Sequence, residues 1–189
     1  MKSTSPPDHH AVDSRSTGPA KTPRRRKMLT LVLISLALLS PVVVMALYID
    51  DWSRDLTTNR AATAVKASDP RQRPLTLAAQ SDAPMINRAL EAFASERPEW
   101  SLVDPLDPPA DSPLASEISG KIEQRWSLVR TTALMRYRDD LWLVAERLDD
   151  GRLRVHAESR SRIGKGDLGQ NPRNLRELMA ALKDHLPQQ

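Results

Sequence analysis

At 189 residues the chain has room for one ordinary domain with accessories. One Phe, two Tyr and no Cys exclude a large aromatic core, disulfides, thiol catalysis and cysteine-ligated metals. Of its 28 basic and 24 acidic residues, seven and two lie in residues 1–27, so the positive excess belongs to the tail and the remainder is slightly acidic. The basic character is therefore no nucleic-acid signature.

Residues 1–27 are rich in Pro, Ser, Thr and charge and read as a disordered basic cytoplasmic tail. His9 and His10 lie in it as a pair that cannot complete a metal site alone. Residues 28–49 carry no charge, and as a helix they span about 33 Å, the thickness of a bilayer's hydrocarbon layer. This is the expected single transmembrane helix; Pro41 is tolerable there if Ser40 satisfies the freed backbone. Arg24 to Lys27 precede it and Asp50, Asp51 and Asp55 follow, so the N-terminus is expected in the cytoplasm and the remainder in the periplasm of a bacterial inner membrane. Two rival readings stand beside this one: a signal peptide cleaved after Ala46, and a twin-arginine export signal around Arg25 and Arg26.

Residues 50–80 read as a linker, with prolines at 70 and 74 and a short apolar patch, Leu75 to Leu77, that would suit an edge strand. The domain is expected over 81–189. Ser81 or Asp82 caps a helix carrying Ile86, Ala89, Leu90 and Phe93 on one face and ending at Arg97-Pro98. Trp100 to Val103 form a short strand, and residues 104–113, with four prolines, a surface loop. After Gly120 the period becomes two, with Ile122, Trp126 and Leu128 on one face. Leu141, Leu143 and Ala145 face one way and Trp142 and Val144 the other, as in a strand buried on both sides. Asp149-Asp150-Gly151 is a hairpin turn. The next strand directs Leu153, Val155 and Ala157 inward and Arg154, His156, Glu158 and Arg160 outward. Asn171 caps a last helix, with Pro172 at its first position and Leu175, Leu178, Met179, Leu182 and Leu186 as its apolar stripe. Residues 49–119 are net acidic and 120–189 net basic, a complementarity that suits packing between the two halves.

The run from Gly164 to Gly169 spells G-x-G-x-x-G between a strand and a helix. A dinucleotide fingerprint needs a second parallel strand after the helix, and here the antiparallel pattern and the position of the helix oppose one. Arg160, Arg162 and Lys165 converge on this loop before Asn171 and a helix N-terminus. The cluster reads either as a site for an anion, a lipid headgroup or a protein partner, or as a structural turn whose cations are paired by nearby acids. His156-Ala157-Glu158 has the H-x-E of zinc deaminases without the cysteines that would follow, and reads as an exposed strand with alternating charge. No catalytic, metal or cofactor motif is found, and no nucleic-acid partner is expected.

The segment Glu158 to Asn171, E-S-R-S-R-I-G-K-G-D-L-G-Q-N, resembles the signature of the family designated DUF1499, a domain of unknown function. Its members carry S-R-S-R, a hydrophobic residue, G-x-x-D-L-G-x-N and then a final helix, preceded by a segment like Tyr137 to Asp140. The resemblance spans roughly residues 81–186. It implies an exported or membrane-associated bacterial protein, with plastid relatives, and no established activity. The Pro/Cys-bearing N-C-V-S segment of many members is absent here. The expected architecture is α+β: an antiparallel sheet of about four to five strands packed against a C-terminal helix and one N-terminal helix, preceded by the transmembrane helix. The expected function is recognition of a partner, lipid headgroup or small anion through the basic loop. The alternative is a small-ligand carrier or enzyme with a cavity between the sheet and the last helix.

Overall fold

The computed structural model describes residues 23–49, 51–133 and 135–187; His9, His10 and most of the tail lie outside them. The chain divides into two compact units, Met1–Val44 and Met45–Gln189. Helix α1 (Pro23–Tyr48) starts within the basic run, because Arg and Lys are good helix formers and Pro suits a first turn. Its Lys27–Val44 stretch is long and apolar enough to cross a membrane. Pro41 has no N–H for the Ala37 carbonyl, and the Ser40 hydroxyl donates to that oxygen instead (3.1 Å).

The second unit holds, in chain order, α2 (Trp52–Thr57), β1 (Arg60–Ala62), β2 (Leu75–Leu77), α3 (Ala83–Glu96), β3 (Trp100–Val103), α4 (Leu114–Glu117), β4 (Lys121–Thr131), β5 (Arg138–Arg147), β6 (Leu153–Ser161) and α5 (Gln170–His185). The class is α+β, and the six strands form one antiparallel sheet in the order β1-β6-β5-β4-β3, with β2 also on β6. The expected linker is thus corrected: residues 50–80 supply α2 and two strands. Ala62 lies opposite Glu158 and Leu77 opposite Leu153, so β1 and β2 share one edge of β6. Without them that edge would present an unpaired row of backbone donors and acceptors. The prolines shape the connection rather than loosening it, since Asp69 caps a single 3-10 turn over Pro70–Gln72.

Helices α3 and α5 cover one face of the sheet. Ile86, Leu90 and Phe93 from α3 meet Leu175, Leu178 and Leu182 from α5, all fully buried, over Leu143, Val155 and Ala157. Burying side chains of this size stabilises by about 1.5–3 kcal/mol each before entropy is charged against it. Phe93 packs edge-on against Trp100, with ring centroids 4.9 Å apart. Asp82, one of the two expected caps, accepts the Met85 N–H at the start of α3.

The other face is also covered, which corrects two readings. Residues 104–119 lie across it as a strap, with Leu114 packed against Trp142 and Val144. His156 and Glu158, expected to be exposed, are therefore fully buried. Ile122 joins this second cluster rather than the side of Trp126, because a bulge between Ile122 and Gln124 flips the alternation. The strap is fastened by charge. Asp111 accepts from Arg60 and Arg160, and Asp107 lies 3.8 Å from Arg125. On the helical face Arg97 reaches Glu177 at 3.4 Å, so ion pairs do join the acidic and basic halves.

Candidate functional site

The signature segment leaves β6, turns through the glycines and enters α5. Its polar side chains form a buried network. Ser159 donates to Asn171 Oδ1 (2.6 Å), and Asn171 Nδ2 donates to the Asn59 carbonyl (2.7 Å) and to Ser161 Oγ (3.1 Å). Ser161 donates to Asp139 Oδ1 (2.6 Å), and Asn174 Nδ2 to Asp139 Oδ2 (2.9 Å) and Ser159 Oγ (3.1 Å). Asn171, expected as the helix cap, is instead inside the first turn and fully buried. Asp167 satisfies the helix start, accepting the N–H groups of Gly169 (2.9 Å) and Asn171 (2.8 Å). A carboxylate three residues before the first helical residue reaches two free donors, which a side chain pulled into the core cannot.

The glycines admit α2. A Cβ on Gly166 would collide with the Leu56 carbonyl, and one on Gly169 would come within 2.6 Å of Asp55 Oδ2. Gly169 also has φ +75, a left-handed conformation that favours glycine. The Leu168 N–H donates to the Asp55 carbonyl (2.9 Å), while the buried Asp55 carboxylate is met by Arg54 Nε (2.7 Å). The run G-x-G-x-x-G thus cradles a backbone turn of this same chain.

The candidate binding residues are placed as follows. Arg160 lies 3.0 Å from Asp111 and 3.4 Å from Glu158, on the strap side. Arg162 makes a bidentate contact with Asp140, its closest approach being 2.7 Å. Lys165 is exposed and has no acidic partner among the described residues. The four are therefore not one cluster: two are paired within the chain, one is buried and one is free.

A groove of about 500 Å³ opens beside the loop. Its rim is apolar, from Met135, Tyr137, Ile163 and Leu168, all more than a third exposed. Asp139 and Ser161 reach its wall from the buried network. Of the non-glycine residues with positive φ among those described, Leu168 lines the groove and Arg136 lies between the lining residues Met135 and Tyr137. Holding such residues left-handed costs energy, a feature that concentrates at functional sites. Arg136 and Arg138, which flank the lining residue Tyr137, and Lys165, between the lining Gly164 and Gly166, are exposed and have no ion-pair partner among the described residues. A wider groove of about 820 Å³ along α5 is lined by Arg71, Arg73, Arg176 and Lys183. Arg71 is held by Asp69 and Arg73 by the Ala67 carbonyl, and Arg176 and Lys183 also have partners.

Two buried carboxylates lie under the strap. Burial opposes ionisation of Glu146, but the Gly120 N–H, the His156 imidazole at 2.8 Å and the Ser119 N–H outweigh it and hold the group below its ordinary value. Burial pushes Glu158 up, against the Ser112 hydroxyl and Arg160. His156 Nδ1 is buried without a protein partner among the described residues.

Asp139, Asn174 and Asp55 were absent from the sequence-derived site. Asn171 and Asn174 carried a readable signal: amides at i and i+3 on the same side as Leu175 and Leu178 belong to a buried face. Nothing local marked Asp55, whose partner loop lies more than a hundred residues away.

Taken together, these elements define an α+β domain, closed by its own glycine loop, on a chain that has, among the described residues, one helix long and apolar enough to cross a membrane. The chain belongs to the family described as Protein of unknown function (DUF1499), whose model matches residues 51–182. That match starts at α2 rather than at α3. No curated protein and no solved structure matches the chain.

Proposed function

We propose that the chain is a single-pass membrane protein, N-terminus in the cytoplasm, whose outer domain binds polar-lipid headgroups with the groove end of its sheet. The observation that carries this reading is the pairing, at one end of the domain, of an apolar rim with three unpaired cations, Arg136, Arg138 and Lys165. Apolar side chains interleaved with exposed Arg and Lys are the composition that partitions into a headgroup layer. The tether supports it. Tyr48 ends α1 and Trp52 opens α2, a gap the chain can span over at most about 14 Å. Trp52 and Leu56 are half exposed on α2, and α2 is docked on the loop that forms the groove. The carrier reading with a cavity under α5 has less support, since leucines fill that interface.

The chain has no Cys, so a single Ile163→Cys can take an environment-sensitive dye in the full protein, reconstituted in phosphatidylethanolamine/phosphatidylglycerol nanodiscs. Its emission is expected to shift to the blue and to be quenched by lipid-borne quenchers. Asp149→Cys, in the hairpin at the other end of β6 and about 30 Å away, is expected to stay aqueous. Equal, water-like emission at both positions would sink the reading, and a C-terminal reporter active only in the cytoplasm would refute the topology.

A further inference from the structure

We infer that the groove takes a primary ammonium at Asp139, so that the headgroup recognised is an aminophospholipid; the inference rests on the headgroup reading above. Asp139 is 2% exposed and is one of the residues that line the groove. Its partners are two neutral donors, the Ser161 hydroxyl and the Asn174 amide. Among the described residues no Lys, Arg or His nitrogen lies within ion-pair distance of it. Each carboxylate oxygen keeps acceptor capacity beyond the one hydrogen bond it receives. A buried carboxylate without a countercharge is costly, and a ligand that brings a cation removes that cost on binding.

The surroundings narrow the ligand. An anionic group alone would face two lining acids, Asp139 and Asp167, against one lining cation, Arg173, which is already held by the Leu168 carbonyl (3.0 Å), so a bare phosphate is disfavoured. A free hydrophilic amine would leave Met135, Ile163 and Leu168 unused. A primary ammonium offers three donors to acceptors at the wall, whereas a trimethylated one offers none. Among the described residues Tyr137 is the single aromatic ring in the lining, so they form no cage of the kind that quaternary ammonium ligands require. The phosphate and acyl chains of an aminophospholipid then match the cations and the apolar rim outside.

The test is calorimetric titration of the detergent-solubilised full chain with dihexanoyl phospholipids. The ethanolamine lipid is expected to bind, and the choline and glycerol lipids to bind about tenfold or more weakly. Free ethanolamine is expected to bind weakly or not at all; equal affinity for it would overturn the lipid assignment. Equal affinity for all three lipids would overturn the ammonium assignment without any mutation. Asp139→Asn is expected to abolish the preference for ethanolamine, with its thermal unfolding recorded alongside because the side chain is buried. A folded variant that keeps the preference would also overturn it. Loss of headgroup selectivity with Ile163 still in the interface refutes this inference alone, whereas water-like emission at Ile163 refutes the docking beneath it.

Discussion

Gly166 is a residue whose role is readable as distance. No positive φ is needed there; what it provides is room for the Leu56 carbonyl. Gly166→Ala is expected to destabilise the domain by roughly 1–3 kcal/mol, as overpacking does, and to raise protease sensitivity at α2 before the sheet is lost. Thermal unfolding with limited proteolysis reads both. Asn174→Ala leaves Asp139 with one donor fewer and is expected to cost about 1–3 kcal/mol in chemical denaturation. The two carboxylates under the strap give opposite pH signatures. Glu146 is depressed, so its contribution is present above the ordinary carboxylate value of 4.5 and is lost as pH falls through its lower folded value. Glu158 is raised, so its contribution is complete below 4.5 and is lost as pH rises through its higher folded value. Glu158→Gln is therefore expected to flatten the upper limb of a melting-temperature profile, and Glu146→Gln the lower one.

At the scale of elements, the strap is the part whose hold is mostly polar. Asp111, Ser112 and the N–H groups of Ser119 and Gly120 fasten it, and Leu114 is its buried apolar anchor. Leu114→Ala is expected to cost about 2–5 kcal/mol and to speed amide hydrogen exchange across residues 104–119 more than in α5. Helices and long strands were legible in the chain because their periods repeat: Ile86, Leu90 and Phe93, or Leu141, Leu143 and Ala145, announce a face. The strap was legible only as a loop, because four prolines report the absence of a period and say nothing of what lies beneath. His156 and Glu158 were misread for the same reason, since alternation shows that two faces differ and cannot show that both are covered. β1 was missed because three residues are too few to carry a period, and its partner is β6, nearly a hundred residues later. Of the candidate site, the loop was legible as a run of residues and the pairing of its cations was not. Arg160 and Arg162 stood out as charges, yet their acids, Asp111 and Asp140, come from other elements that only the fold brings close.

For the whole molecule, the boundary is the sharpest prediction. A fragment of residues 81–189 lacks α2, β1 and β2, leaves one edge of β6 open and leaves Gly166 and Gly169 without the turn they enclose. It is expected to remain unfolded or to aggregate, whereas 51–189 is expected to show a cooperative unfolding transition by circular dichroism. Equal cooperativity in both fragments would show that α2, β1 and β2 are dispensable for folding.

The docking of Asp55 on the loop before α5 also bears on synthesis. The residues nearest α1 leave the ribosome early, but their partners in β6 and the glycine loop come last. Contacts of such separation form slowly, and α2 and β1 must wait as unpaired chain until almost the entire sequence has been made. A nascent chain cut short before β6 would therefore be left with its first-made segments unpaired and the edge of β5 open for quality control to find.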